Sequence, residues 1–282
     1  MPGKLYVIGT PIGNLSDMTF RAVETLKEVD FIAAEDTRVT LKLLNHFSIK
    51  KPMLSYHEHS TKYVSETIIE KIKSGESCGV VTDAGMPCIS DPGEDLVKAC
   101  AENGIEVVVI PGPSAAVSAL AISGLSTSRF SFEGFLSVSK KQRREHLQSV
   151  KNDTRTLIFY EAPHKLLGTL SDMLEHFGDR RISICHELTK IHEEVLRMTI
   201  SQAVEHYSQK ASIKGEFVLV IEGAKPEEKA EITIDDAAKQ VRELVKSGMK
   251  LSDACKEIAK LTGFKKSELY SKGQEEKIFL KT

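Results

Sequence analysis

Five short apolar runs occupy the first 123 residues, each breaking at its carboxyl end into glycine, proline or charged residues and each followed by helical periodicity. Residues 5–9 break into Thr10-Pro11-Ile12-Gly13-Asn14, ahead of an amphipathic segment over 17–28. Residues 31–34 end in Glu35-Asp36-Thr37-Arg38, and 53–56 end in His57-Glu58-His59, before apolar positions at Val64, Ile68, Ile69 and Ile72. Runs at 78–82 and 107–110 end in Asp83-Ala84-Gly85-Met86-Pro87 and Pro111-Gly112-Pro113-Ser114, with a helix expected over 94–102 between them. Such runs are too short for buried helices; alternating with helical segments, they specify βα units and a parallel sheet. Ligands of these sheets collect at the carboxyl ends of the strands, so the loops mark the functional edge.

The densest loop is 82–93, which holds two carboxylates (Asp83, Asp91), two glycines (Gly85, Gly93) and two prolines (Pro87, Pro92) behind a buried strand. Glycine lets backbone approach a ligand, proline fixes φ, and an acid accepts hydrogen bonds from hydroxyls or amines. The plainer reading of its second half is a helix start, with Asp91 as N-cap and Pro92 at the first helical position. No capping rule calls for the Asp83 to Pro87 half.

After Gly124 the pattern changes. Residues 130–136 and a basic helix, its positive charges running from Lys140 to Arg155, form a bridge; strands are expected at 156–160, 181–186, 194–199 and 216–222, with further helices over 165–177 and 202–209. Consecutive strands with few helices between them imply a mixed sheet, hence a second α/β domain over 124–224 beside the parallel one at 1–123. The charged stretch 225–231 reads as a linker, and 230–282 as a helical module whose turns fall at Gly248 and Gly263. That module fits a helix-turn-helix, serving either packing or nucleic-acid contact.

A formal net charge of -2 argues against a chain that coats nucleic acid by bulk electrostatics. The basic excess is local: residues 138–155 hold 6 Lys+Arg against 2 Asp+Glu, whereas 1–137 hold 12 against 17. Lys140, Lys141, Arg143 and Arg144 therefore form either a solvated helix face or a strip for RNA phosphates. The five cysteines have neither metal-site spacing nor an even number, so no metal site or disulfide framework is expected. The amino terminus has no charged segment followed by an apolar one, and no apolar run approaches about 20 residues, so a cytoplasmic protein without a membrane partner is expected.

None of the strand-end loops carries a complete Rossmann or P-loop fingerprint. Taken together, TPIGN (10–14), AAEDTR (33–38), TDAGMPCISDPG (82–93), PGPSA (111–115), FYEAPHK (159–165) and KGEFVLVIEG (214–223) resemble the ribosomal RNA small-subunit methyltransferase I family. The resemblance spans nearly the whole chain, its helical tail included. It implies the tetrapyrrole methylase fold: two α/β domains with S-adenosylmethionine in the crevice between them, plus a carboxy-terminal helix-turn-helix module. It also implies a homodimer that methylates the ribose 2'-hydroxyl of a cytidine in the decoding region of 16S ribosomal RNA, in the small subunit. Porphyrin-methylating members of this fold carry Gly-x-Gly-Pro-Gly-Asp where this chain reads Gly9-Thr10-Pro11-Ile12-Gly13-Asn14, which counts against a tetrapyrrole substrate. A tetrapyrrole-precursor methyltransferase, and a non-enzymatic nucleic-acid-binding regulator, remain the alternatives.

By the same resemblance the cofactor is contacted by Pro11 and Gly13, by Asp83, Ala84, Gly85 and Pro87, by Ser114 and Ala115, and by Tyr160, Gly215 and Glu216. A ribose hydroxyl is weakly acidic, so a base within hydrogen-bond reach is expected. The strand ends offer Glu35, Asp36, His57 and Glu161. Asp36 and Arg38 are favoured, with Glu35 beside them, because an acid and an arginine two apart could pair a proton acceptor with a phosphate clamp. His57 also reads as a surface histidine, and Glu161 as a helix-start acid.

Overall fold

A computed structural model describes residues 3–57, 62–225 and 233–279. Glu58, His59 and nearly all of the expected linker lie outside the described residues. The chain divides into two compact units, Met1–Ala224 and Lys225–Thr282.

The first sheet is built in chain order from β1 (Leu5–Ile8), α1 (Phe20–Glu28), β2 (Phe31–Ala34), α2 (Thr37–His46), β3 (Met53–Ser55), α3 (Lys62–Lys73), β4 (Cys78–Val81), α4 (Glu94–Glu102) and β5 (Val107–Ile110). Its strand order is β3-β2-β4-β1-β5, and every pair is parallel. Side chains alternate between two faces. Phe31 and Ala33 join Ile68, Ile72 and Leu96 on one, while Ile32 and Ala34 join Ala22, Leu26 and Leu44 on the other. Burial on both faces is why the inner strands β1, β2 and β4 read as unbroken apolar runs, whereas Val109 of edge strand β5 is exposed. Asp17, expected in the first helix, instead lies in a short 3₁₀ turn, because Thr19 accepts from the Ala22 N–H and starts α1 at Phe20.

The second sheet follows α5 (Ala115–Ile122). It comprises β6 (Phe130–Phe135), α6 (Lys140–Val150), β7 (Thr156–Glu161), α7 (Leu166–Phe177), β8 (Arg181–His186), β9 (Glu194–Thr199), α8 (Ile200–Ser208) and β10 (Phe217–Ile221). The order is β6-β7-β10-β8-β9, with β6 parallel to β7 and the remaining pairs antiparallel. Leu157, Phe159, Leu170, Met173 and Tyr207 fill one face. On the other, Ile158, Val218 and Val220 pack against Ala116, Ala119 and Leu120 of α5, which thus ties the two sheets together. Helix α8 begins at Ile200 rather than near Gln202 because Thr199 and Gln202 form a capping box.

The basic helix α6 corrects one expectation. Arg143 and Arg144 turn toward α7, where their guanidinium nitrogens lie 2.6 and 3.2 Å from the buried Asp172 carboxylate, and Arg144 also reaches Glu175. Arg143 is only 13% exposed, so neither arginine belongs to an open strip, while Lys140 and Lys141 remain exposed.

The second unit comprises α9 (Ile234–Lys246), α10 (Leu251–Thr262) and α11 (Lys266–Phe279), gathered around Ala237, Val241, Ala254, Ile258 and Leu269. Thr233 caps α9, and Gly263 ends α10 in the left-handed conformation that spares glycine a steric penalty.

Candidate active site

Three loops at the carboxyl edge of the parallel sheet are clasped together through backbone. Thr10 and Gly85 exchange N–H···O bonds of 2.9 and 3.2 Å, and the Thr10 hydroxyl donates to the Thr82 carbonyl at 3.1 Å. Gly9 meets Gly112 so closely that a Cβ on Gly9 would lie 2.7 Å from the Gly112 Cα. Only hydrogens fit there. Beyond Gly85 the chain takes positive φ at Gly85 (85°), Cys88 (73°), Ser90 (60°) and Gly93 (130°). Two non-glycine residues in that region store backbone strain of roughly 1–3 kcal/mol each, which is a feature of ligand-clamping loops.

That path corrects the helix-start reading of Asp91. Helix α4 begins at Glu94 with Gly93 at its N-cap and no side-chain cap, and Asp91 instead lines a cleft of about 390 Å³. Ile12, Met86, Phe135, Tyr160 and Leu188 supply apolar wall, and Glu35, Asp83 and Asp91 supply carboxylates. Ala84, Gly85, Ser114, Ala115, Tyr160 and Glu216, all expected at the cofactor, line it too. Burial, followed by the nearby charges of Glu35 and Asp83, pushes the Asp91 carboxyl up to about 7. The Tyr160 hydroxyl accepts from the Ala116 N–H at 3.1 Å, fixing the ring against the first turn of α5.

Pro11 and Gly13 lie elsewhere, on a second cleft of about 310 Å³. Thr10, Val39, Lys42, Leu43 and Lys190 are among its other lining residues, and it shares Ile12, Asp83, Ala84 and Glu216 with the first. Pro87 and Gly215 line neither cleft. Pro87 is buried within the strained loop; Gly215, at φ 87°, passes so near His186 that a Cβ would sit 2.5 Å from its Nε2. That passage lets the Glu216 N–H donate to Glu187 at 2.9 Å.

Of the expected bases, Glu35 and Glu161 line the first cleft, whereas Asp36 and His57 line neither. Asp36 caps α2, accepting the Arg38 N–H at 2.8 Å, and receives the Arg38 guanidinium on both oxygens. Those bonds hold its carboxyl down to about 2, a poor proton acceptor at neutral pH. The acid and the arginine bind each other rather than dividing two tasks. Asp36 does contribute its backbone N–H, which donates to Asp83 Oδ1 at 3.2 Å, while the Asp83 N–H donates to Glu35 at 3.1 Å. Glu161 is buried and accepts from Thr169, Ala162 and Lys165 at 2.5, 2.8 and 3.0 Å, which anchors the start of α7. His57, beyond edge strand β3, lines neither cleft. Among the described residues no cluster of three potential metal ligands occurs, and no helix is long and apolar enough to cross a membrane.

Asp91, read from sequence as an acid of the ligand-edge loop with a helix start as the plainer alternative, does reach this cleft, whereas Phe135 and Leu188 were not singled out. Asp91 carried a usable signal, an acid between two loop glycines; the other two enter only through the second sheet.

Comparison with known proteins decides the family. Residues 4–204 match the family model for Tetrapyrrole (Corrin/Porphyrin) Methylases, and 232–277 match the RsmI C-terminal HTH domain. Ribosomal RNA small subunit methyltransferase I of Halalkalibacterium halodurans is 48% identical over 273 residues, covering 95% of this chain and 94% of its own length. This chain belongs to the ribosomal RNA small subunit methyltransferase I family. The family member of Synechocystis is 46% identical over 95% of this chain and 96% of its own, and that of Thermotoga maritima 50% over 78% and 99%. Among solved structures, the methyltransferase CobJ (16% identical, TM-score 0.60, covering 79% of this chain and 95% of that one) shares the fold. So does a uroporphyrin-III-C-methyltransferase of Thermus thermophilus (18%, 0.55, 78% and 94%). This chain thus carries the tetrapyrrole methylase fold followed by a helical tail.

Proposed function

We propose that this chain transfers a methyl group from S-adenosylmethionine to the ribose 2'-hydroxyl of a cytidine in the decoding region of 16S ribosomal RNA. The observation that carries the reading is 48% identity to a ribosomal RNA small subunit methyltransferase I across 95% of the chain.

The first cleft fits the cofactor by its chemistry. S-adenosylmethionine carries a sulfonium and an ammonium, and Glu35, Asp83 and Asp91 line apolar walls where a cation relieves their mutual repulsion. Gly85, where a Cβ would come within 3.4 Å of Ile12, keeps room for close approach. Ser114 and Ala115, at the start of α5, offer N–H groups to a carboxylate. When bound, the cofactor supplies an already electrophilic methyl carbon. The protein's share is alignment and exclusion of water, provided by the clasped loops and by the Phe135 and Tyr160 walls.

The partner is the small subunit, because a ribose in folded RNA must be unstacked and presented. The exposed Lys140 and Lys141 then serve phosphates, and the chain works in the cytoplasm. A homodimer fits the surface: α5 is apolar throughout apart from Ser118, and its Val117, like Val109 of edge strand β5, is 55% exposed. The experiment is methyl transfer from labelled S-adenosylmethionine to small subunits from cells lacking this gene, with the nucleoside identified by mass spectrometry. A 2'-O-methylcytidine is expected. Cofactor binding without transfer to RNA would instead support a small-molecule acceptor.

A further inference from the structure

The second cleft differs in kind from the first. Its walls combine apolar surface at Leu15, Val39 and Leu43 with two cations, Lys42 and Lys190. Lys190 is held by Glu187 and Glu216, each at 2.9 Å. Lys42 is exposed on α2 and has no ion pair among the described residues. Thr82 also lines this cleft: it is 2% exposed, and its hydroxyl has no hydrogen-bond partner among the described residues. A buried hydroxyl left unpaired beside a cavity is a donor available to a ligand. Asp83 stands where the two clefts meet. One of its oxygens takes the Asp36 N–H, and the other has no hydrogen-bond partner among the described residues.

Resting on the cofactor reading of the first cleft, we propose that the second cleft seats the nucleotide to be methylated, with Lys42 contacting its phosphate and Asp83 accepting the proton of its ribose hydroxyl. A transfer between neighbouring cavities needs its reacting atoms at their junction, and Asp83 is the carboxylate fixed there by backbone. Glu216 is also shared, but Lys190 engages it. In the step the ribose oxygen bonds to the methyl carbon as the sulfur–methyl bond breaks. The bonding pair stays on sulfur, which becomes a neutral thioether, and the hydroxyl proton passes to Asp83 and on to solvent. Partial burial raises the Asp83 carboxyl above its ordinary range, a better match to proton transfer than the depressed Asp36.

The test uses the full chain and unmethylated small subunits, with Lys42→Glu, Asp83→Asn and, as a charge control away from both clefts, Lys27→Glu. All three side chains are exposed, so the folded state is kept. Subunit binding is measured against potassium chloride concentration, cofactor affinity by calorimetry, and single-turnover rate against pH at saturating cofactor. Lys42→Glu is expected to weaken subunit binding about tenfold and to lower the salt slope by about one, with cofactor affinity unchanged. Asp83→Asn is expected to bind subunits within about twofold of the parent and to lose about 100-fold in rate, along with the rate's rise with pH. Lys27→Glu should match the parent throughout. Parental affinity and slope in Lys42→Glu would overturn the phosphate seat, and a parental rate in Asp83→Asn would overturn the proton acceptor. Failure of the parent itself to methylate subunits is seen before any variant is compared, and it overturns the underlying reading.

Discussion

Asp91 sets stability against binding, and the conflict can be measured. Its carboxyl is pushed from an ordinary 3.8 to about 7 by burial and by the charges of Glu35 and Asp83. The folded state therefore holds this proton more tightly than the unfolded one, and ionising it costs stability. The cost is absent below about pH 4, grows between pH 4 and 7, and is complete above 7. At 1.36 kcal/mol per unit the full span is about 4 kcal/mol, and partial solvent access reduces it to about 1–2 kcal/mol. Asp91→Asn should thus stabilise the ligand-free protein at pH 8, raising Tm by roughly 2–8 °C, with the gain fading toward pH 4. Binding should move the opposite way. A sulfonium favours the ionised carboxylate, so the affinity for S-adenosylmethionine relative to S-adenosylhomocysteine should rise from pH 5 toward 7, by up to about tenfold per unit, and then level. The ratio cancels titration of the amino group both ligands share. In Asp91→Asn the ratio should be lower and flat. Calorimetry with both ligands at four pH values, beside thermal scans, reads both effects. A flat parental ratio, or an unchanged slope in the variant, would refute the reasoning.

Other expectations follow from the same geometry. Gly112→Ala brings a Cβ to 2.8 Å from the Gly9 Cα, so it should cost about 1–3 kcal/mol in urea unfolding and lower cofactor affinity by parting the clasped loops. Asp172→Ala strands the mostly buried Arg143 guanidinium and should cost about 3 kcal/mol, seen as a lower urea midpoint. Reversing Lys140 and Lys141 to glutamate should weaken small-subunit binding and flatten its salt dependence while leaving Tm and cofactor affinity in place.

The parallel sheet could be read from sequence because all its strands are apolar on both faces and each stops at a loop of glycine, proline or charge. Strand alternation and loop chemistry act locally, and local signals survive in a linear reading. The mixed second sheet was readable for the same reason, from strands that follow one another with a single helix between them. What failed to show was pairwise. Arg143 and Asp172 are 29 positions apart, and nothing in a run of basic residues says that two of them turn inward. Asp36 and Arg38 are adjacent on one turn, and the reading that gave them separate duties overlooked that a helix cap with an arginine at its second position satisfies itself. Asp91 depended on two left-handed residues, Cys88 and Ser90, that no propensity favours in that conformation.

Strand β10 is the last of the second sheet in the chain yet lies between β7 and β8, bonded to both. The first sheet is complete once residue 110 has been made, whereas the second has a gap at its centre until residue 221. During synthesis β7 and β8 therefore present open edges that face each other across a missing strand, and such edges pair readily with foreign chains. A ribosome-bound fragment halted after Thr199 should capture a peptide of the β10 sequence, and one halted beyond the unit should not. The protein is in this sense closed by its own final strand, and its exposure to misassembly is set by how fast the 60 residues from Ala162 to Ile221 are translated.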